Sequence, residues 1–315
     1  IGLGNIGFYH LYSIVKYAKN IKILVIDRKK KNFIKIIQFF GNKHFNVKKI
    51  SLNFRYNLDF SDEIFDFLLI STTSDNRYSI IQKVLKNNKV KNILVEKISA
   101  SNFKEYINIL NLLKKKKITN HINFSRREYK VYNYIYKKLK KLRSQKINLK
   151  FIGFNWNLAS NIFHFVDLFA YLNSDNKIYI RRNELDKKVY KSPRKNFHEL
   201  KGRISFYNNK GSTIVCEDDK RNSIKNKSNL LTIDHKMIKF VINEKKNLLI
   251  EHNKKNGTIN KIKFIMPYQS DLTYKTMNKI LRRKANLPSY SESLKMHKML
   301  LKTLTTHIIK YSNKK

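Results

Sequence analysis

Apolar positions along this chain of 315 residues follow two different rhythms. In the first third, short unbroken apolar runs at 21–26 (IKILVI), 65–71 (FDFLLIS) and 92–96 (NILVE) read as strands buried on both faces of a sheet. Between them, residues 5–17, 32–40, 76–85 and 102–113 carry helical spacing; in the third of these, Ile80, Ile81, Val84 and Leu85 share one face. Residue 1 reads as the end of a strand that begins before it, and 118–124 as a strand leading out of this region. Alternating buried strands and helices predict a parallel sheet with helices on both faces.

The pattern changes further on. Residues 129–142 form a basic amphipathic helix with Val131, Ile135, Leu139 and Leu142 on one face, read as a surface helix with a solvated charged side rather than a membrane or nucleic-acid grip. Residues 147–155 read as a strand and 161–172 as a helix. Short strands follow at 200–207, 212–217, 230–234, 239–242, 248–252 and 259–264, several joined by polar or glycine-containing links such as 208–211 and 253–257. Strands joined this way predict an open, mainly antiparallel sheet. The polar, basic stretches 183–199 and 220–229 read as loops, and 292–309 as a helix. The reading is an α/β chain of two domains: 1–122 with a parallel sheet, and an α+β domain over 123–315.

Composition sharpens this mostly by exclusion. The net charge of +45 is carried largely by lysine, in a chain also rich in Asn, Ile, Phe and Tyr but with 3 Pro and 8 Gly. Those abundant residues share adenine- and thymine-rich codons, and the lysines are scattered, so compositional drift explains the charge better than a polyanion-binding face. A nucleic-acid reading also lacks a helix-turn-helix, zinc-finger or RNP-like segment. Cys216 is the lone cysteine, which excludes an internal disulfide and a cysteine-rich metal site and fits a reducing, cytoplasmic compartment. No metal site is predicted. No run reaches the roughly 18–20 apolar residues of a spanning helix; the nearest, 156–172, carries His164 and Asp167 in its middle.

The segment Gly2-Leu3-Gly4-Asn5-Ile6-Gly7 matches G-x-G-x-x-G. The first glycine permits the tight turn, the second lets backbone approach a pyrophosphate, and the third lets helix pack against strand, while the helix that follows aims its amides and dipole at the phosphates. A helix and a strand follow here, and Asp27 stands at that strand's end, about 20 residues beyond Gly7, where an acid meets the ribose hydroxyls of NAD. Arg28 beside it can take the 2′-phosphate of NADP. The first domain therefore reads as a Rossmann domain, with Gly2, Gly4, Asn5, Ile6, Gly7, Asp27 and Arg28 as cofactor contacts; the bland alternative for Asp27 is a cap on the next helix.

Three further segments, in order, resemble the glucose-fructose oxidoreductase / inositol dehydrogenase / MocA family. Leu69-Ile70-Ser71-Thr72-Thr73-Ser74-Asp75-Asn76-Arg77 resembles the strand-to-helix turn beside the nicotinamide half of the cofactor, with Thr73 and Arg77 near the places of the family's Thr-Pro and later His. Leu94-Val95-Glu96-Lys97 resembles its E-K-P signature. The stretch from Trp156 through Ser160, Asn161 and His164 to Asp167 resembles the helix carrying the catalytic His. A looser match is Leu287-Pro288-Ser289-Tyr290, ahead of a helix containing His297. The resemblance implies that Ser71, Thr72, Thr73, Asn76, Glu96 and Lys97 line the cofactor. It further implies that His164 is the base for a substrate hydroxyl, that Lys97 stabilises charge on the reacting oxygen, and that Asp167, three residues from His164 on one helix face, orients the imidazole or binds substrate.

The same resemblance makes Asn123, Arg127, Ser160 and Asn161 candidate substrate contacts, the substrate being a sugar, nucleotide sugar or cyclitol, in surface-carbohydrate synthesis for some branches. It implies a homodimer or homotetramer through the open sheet. Two positions depart from the pattern. Ile98 stands where proline usually follows Glu-Lys, and Ser160 where many members place an Asp, so no carboxylate partners the His from that side. These departures keep open an alternative in which the chain binds a dinucleotide without turnover.

Overall fold

The structure, a computed structural model, describes residues 1–41, 50–142, 146–192, 194, 197–218 and 229–312. The chain divides into two compact units, Ile1–Glu128 with Pro267–Ser291, and Tyr129–Met266 with Glu292–Lys315.

The first unit follows the alternation in the sequence: α1 (Asn5–Tyr17), β1 (Ile21–Ile26), α2 (Lys30–Gly41), β2 (Ile50–Arg55), β3 (Ile64–Ile70), α3 (Arg77–Asn87), β4 (Lys89–Val95), α4 (Phe103–Lys115) and β5 (Thr119–Ile122). Strands β1 and β2 pair in parallel, as do β3, β4 and β5. Residue 1 links the two sets. The Ile1 nitrogen donates to Leu69 O at 2.7 Å, the Ser71 amide donates to Ile1 O at 2.9 Å, and the Gly2 amide donates to Ile26 O at 2.8 Å. A cavity of about 1280 Å³ lies beside this junction, lined by Leu11, Ile14, Ile23, Val25, Phe67 and Met277 among others. Apolar side chains of α1, α2 and β1 close one core, in which Leu11, Val15, Val25, Phe33 and Ile36 are buried.

Two elements of this unit have no counterpart in the sequence reading. Strand β2 alternates half-buried and exposed positions, with Ser51, Asn53 and Arg55 on its outer side, and so lacks the continuous apolar run that marked its neighbours. The helix Gln269–Leu281 returns to the unit and buries Leu272, Thr273, Thr276, Met277 and Ile280. Two of its five buried positions are threonines, which hide the apolar period. Its link to the first domain is polar as well: the Glu128 carboxylate accepts from Lys279 Nζ at 2.5 Å and from the Asn286 amide at 2.6 Å. Residues 123–128 and 267–291 thus lie with the first unit, whereas the sequence placed the boundary at 122/123 and all later residues in the second domain.

The second unit contains α5 (Lys130–Lys140), β6 (Ile147–Gly153), α6 (Leu158–Asn173), β7 (Ile178–Leu185), β8 (Tyr190–Lys191), β9 (His198–Glu199), β10 (Gly202–Asn208), β11 (Thr213–Asp218), β12 (Leu230–His235), β13 (Ile238–Asn243), β14 (Leu248–Asn253) and β15 (Ile259–Lys263), followed by the last helix, Tyr290–Ser312, which begins at the end of the first unit. Eight strands form one sheet in the order β15-β14-β13-β12-β6-β11-β10-β7. The β6–β11 pair is parallel and the other ladders are antiparallel, as the hairpin spacing predicted. Strand side chains alternate: Leu149 and Phe151 of β6 and Ile214 and Cys216 of β11 face the interior, where α6 packs on them. The Phe151 and Phe165 rings stack at 3.7 Å between centroids.

The stretch 183–199, expected to be a loop, instead finishes β7 and forms the small β8–β9 hairpin. Strand β7 lies at the sheet edge with Arg181, Arg182, Asn183 and Glu184 exposed, so its sequence reads as polar. Most of 220–229 lies outside the described residues. Among the described residues, no helix is long and apolar enough to cross a membrane, and no group of His, Cys, Asp and Glu has the makings of a metal site.

Candidate functional site

The glycine-rich turn is the most tightly specified piece of backbone in the first unit. Gly2 has φ +93°, and a Cβ there would meet the Thr72 backbone nitrogen at 2.9 Å. A Cβ on Gly7 would lie 1.8 Å from Gly2 O and 2.8 Å from Ser71 Oγ, so only hydrogen fits. Gly4 differs: nothing lies within 4 Å of its Cβ position. It caps α1 without a side-chain hydrogen bond, and the Phe8 amide donates to its carbonyl at 2.9 Å. The amides of Asn5, Ile6 and Gly7 precede the first bonded turn of a 13-residue helix and carry the positive end of its dipole.

The neighbouring strand ends complete a cradle. Ser71 donates its hydroxyl to Gly2 O at 2.7 Å and to Ile1 O at 3.1 Å, which holds the turn and leaves its oxygen as an acceptor. Thr72 Oγ1 is buried without a hydrogen-bond partner. Asp27 accepts from the Leu3 amide at 2.6 Å through one oxygen and from the Lys29 amide at 2.8 Å through the other. It therefore braces the turn and the entry to α2 together, and keeps lone pairs on both oxygens for further donors. Arg28 is exposed beside it. A close-packed turn with one open glycine, a helix N-terminus, an orphaned hydroxyl and a strand-end acid fit a dinucleotide. Thr73 and Asn76 sit just beyond, with Asn76 Nδ2 donating to Thr73 Oγ1 at 3.4 Å.

Glu96 and Lys97 follow directly from β4. Glu96 is 8 % exposed. Its Oε1 accepts from Asn123 Nδ2 and pairs with His10 Nε2 at 2.9 Å. His10, on α1, also bonds Thr273 Oγ1 at 2.8 Å, and Gln269 Nε2 donates to the same hydroxyl at 2.8 Å. Burial on its own would raise the Glu96 carboxyl; the hydrogen bond and charge of His10, the Asn123 amide and the charge of Arg77 more than offset it and hold the group below its usual range. Arg77, 3 % exposed, donates to Thr72 O at 3.0 Å through Nε and at 2.6 Å through a terminal nitrogen. Its other terminal nitrogen donates to the carbonyls of Glu96 and Ile98, on either side of Lys97.

Of the residues named from the sequence, the first unit thus gathers the glycine turn, Asp27, Ser71, Thr72, Glu96, Lys97 and Asn123. Asn123 is 4 % exposed and spends its amide on Glu96. Arg127, 6 % exposed, donates to Asn286 O at 3.4 Å. His10, Arg77, Gln269 and Thr273 were not read as site residues. His10 lies three residues after Gly7 and so on the inward face of α1, a periodicity that marks it as buried next to the turn; the two helix partners carried no readable signal.

In the second unit, Ser160, Asn161, His164 and Asp167 all lie on α6. The turn before this helix uses left-handed residues Asn155 (φ 49°) and Asn157 (φ 59°). Asp218 fastens it, accepting from the Asn155 amide at 2.8 Å and the Trp156 amide at 3.2 Å, while Trp156 Nε1 donates to Glu217 O at 3.0 Å. Burial raises the Asp218 carboxyl against the opposing pull of those amides and of Lys201. The Ser160 amide donates to the Glu199 carboxylate at 3.2 Å, and Asn161 Nδ2 to Trp156 O at 2.7 Å. His164 is half-buried, and Asp167, at 1 % exposure, is not a solvent-facing acid. Spacing of three on a helix puts the two on one face. His297 is a core residue: it packs on Phe163 with centroids 5.3 Å apart, and burial pulls its pKa to about 3 against a hydrogen bond to Ser293 O, so it is neutral at physiological pH. Tyr290 is likewise interior, donating its hydroxyl to Ser99 O at 3.5 Å.

No family model and no curated protein sequence matches the chain. Solved structures do. A super-repressor mutant of Gal80p from Saccharomyces cerevisiae is similar at a TM-score of 0.72 and 12% identity over 98% of this chain and 93% of that one. A dehydrogenase (MviM) from Clostridium difficile is similar at 0.65 and 16% over 97% of each. Levoglucosan dehydrogenase, solved with NADH and levoglucosan, is similar at 0.67 and 13% over 98% of this chain and 96% of that one. At such identities the likeness establishes a shared fold from end to end.

Proposed function

We propose that this chain is a nicotinamide-dinucleotide-dependent oxidoreductase acting on a hydroxyl-bearing carbon of a sugar, nucleotide sugar or cyclitol. The observation that carries the reading is the glycine turn. Gly7 admits no side chain, Gly4 leaves an open approach to the amides of α1, and Asp27 holds the turn from the end of β1. Gly2, Gly4, Asn5, Ile6 and Gly7 would hold the pyrophosphate, Asp27 the adenosine ribose, and Thr72, Thr73 and Asn76 the nicotinamide half. When bound, the nicotinamide supplies the hydride acceptor or donor.

The remaining chemistry belongs to the chain. In this reading His164 takes the proton of the substrate hydroxyl, a task suited to an imidazole. Lys97 stabilises negative charge developing on the same oxygen. Asp167, buried three residues along the same helix, orients His164 or binds a substrate hydroxyl. Asp27 favours NAD, and the exposed Arg28 provides for NADP, so both are assayed. The open face of the eight-stranded sheet carries half-exposed Val215, Val241 and Ile250, and in this reading seats a second copy of the chain.

A second reading, dinucleotide binding without turnover, draws support from Ser160, from Ile98 and from the likeness to Gal80p, whose solved form is described as a super-repressor. One experiment separates the two. Purified protein is mixed with NAD⁺ or NADP⁺ and a panel of sugars, nucleotide sugars and inositols, and reduced cofactor is followed by absorbance. Reduced cofactor with one substrate class, lost in Lys97→Ala and His164→Ala variants that still bind NAD, upholds the oxidoreductase; cofactor bound without reduction across the panel upholds the alternative.

A further inference from the structure

Lys97 leaves the sheet where β4 has ended, and such a position has no ladder to fix its direction. A side chain from another element grips the main chain on both sides of it. Arg77 opens α3, and its guanidinium is 3 % exposed. A buried cation is costly unless hydrogen-bonded. Here it is satisfied by main-chain oxygens on two strand ends: Thr72 O after β3, and Glu96 O and Ile98 O after β4. The last two flank Lys97. An arginine fork can bond three carbonyls from fixed directions, whereas a lysine ammonium is one mobile point of charge. The side chain of Glu96 is separately pinned by His10 and Asn123, so the residue before Lys97 is fixed by both its carbonyl and its carboxylate. Ile98, which stands where the family pattern has proline, is thus in direct hydrogen-bond contact with Arg77.

We propose that Arg77 is a positioning residue for Lys97: by gripping the carbonyls on either side of it, Arg77 sets the direction in which the lysine side chain leaves the end of β4, without touching substrate. The inference rests on the reading that Lys97 acts on the reacting oxygen, but its test does not depend on turnover. Three variants are compared with the parent protein: Arg77→Lys, Arg77→Gln, and Lys91→Ala as a control at an exposed ion pair with Asp66. Each is checked for folding by circular dichroism and for NADH binding by fluorescence titration. The acylation rate of Lys97 is then followed against pH by peptide mass spectrometry, alongside kcat and KM on any substrate found.

In folded Arg77→Lys with NADH affinity within about twofold of the parent, the pH profile of Lys97 acylation shifts and kcat falls about 100-fold, the size expected when a reacting group is misplaced by about 1 Å. Lys91→Ala changes neither. An unmoved Lys97 profile with unchanged kcat in both folded Arg77 variants overturns the proposal, and if Arg77→Gln does not fold, Arg77→Lys decides alone. A shifted Lys97 profile in a protein that turns over nothing upholds the positioning role and removes the catalytic reading of Lys97 instead.

Discussion

The glycine turn of the first unit and the His164 helix of the second solve the same problem, placing functional groups, by opposite means. The turn is held by backbone: Gly2 O lies where a Gly7 side chain would start, Ser71 ties two carbonyls, and Asp27 accepts the Leu3 amide. Little there can change without the geometry changing. Helix α6 is held by bulk. Twelve of its residues are buried, Phe165 stacks on Phe151, and its polar positions Ser160, Asn161 and His164 ride on a surface that packing has already fixed. Backbone-built sites constrain sequence and so leave motifs; packing-built sites let the functional side chain vary. That is why Gly2 and Gly7 admit no side chain, whereas nothing in the backbone dictates the residue at 160.

The comparison breaks most readily at Gly7. A methyl group 1.8 Å from Gly2 O cannot be relieved by a side-chain rotation, because the obstacle is main chain. Gly7→Ala is expected to cost about 3 kcal/mol or more in urea unfolding followed by circular dichroism, and to abolish dinucleotide binding. A variant as stable as the parent would show that the turn is not close-packed. On the helix, His164→Ala is expected to leave stability within about 1 kcal/mol, since the site is half-buried, and to lower kcat about 10²–10⁴-fold as the loss of a general base. Lys97→Ala follows with a loss of about 10²–10³-fold at unchanged dinucleotide affinity. Stopped-flow measurement of the chemical step with saturating cofactor checks both, and loss of cofactor binding in either would reassign it to cofactor binding.

Most of the fold was legible because the strands of the parallel ladders are written as short apolar runs, as at 21–26 and 65–71, even where only part of each is buried. What stayed hidden had a physical reason in each case. Strand β2 alternates polar residues because one of its faces is exposed, β7 shows four exposed polar residues at an edge, and the helix Gln269–Leu281 buries threonines where leucine would have shown a period. The site was legible wherever chemistry demands a residue type: glycine at the turn, Asp27 at a strand end. It was illegible where support comes from residues distant in sequence. Nothing in the spacing of His10, Glu96, Asn123 and Thr273 announces one buried network, because its members come from distant parts of the chain and Thr273 joins only through the return of residues 267–291.

That network makes an intermediate prediction. The folded Glu96 carboxyl lies below its ordinary value, so its contribution to stability is fully present above the ordinary glutamate range and is lost as pH falls through the folded value. Glu96→Gln removes this acid-labile part. The variant should be less stable by about 1–3 kcal/mol near neutral pH, with the difference narrowing on acidification below about pH 4.5. Urea midpoints from pH 7 to pH 3 test it. A difference constant across that range would mean that the glutamate contributes by shape and not by charge.

The smallest expected effect is the most discriminating one. Gly4 sits in the same six-residue motif as Gly7, yet its Cβ position is open and its φ of −63° is accessible to any residue. If glycine were required there for folding, the structure would show an obstacle, and it shows none. What remains is the space itself, which a ligand needs to reach the amides of α1. Gly4→Ala should therefore leave the urea midpoint unchanged, or raise it slightly because alanine restricts the unfolded chain, while weakening NADH binding about tenfold, a loss of about 1.4 kcal/mol. Isothermal titration of NADH against the parent, Gly4→Ala and Gly7→Ala puts the two glycines side by side. A Gly4→Ala protein that binds NADH as tightly as the parent would remove the pyrophosphate from the mouth of this turn, whatever the fate of Gly7→Ala.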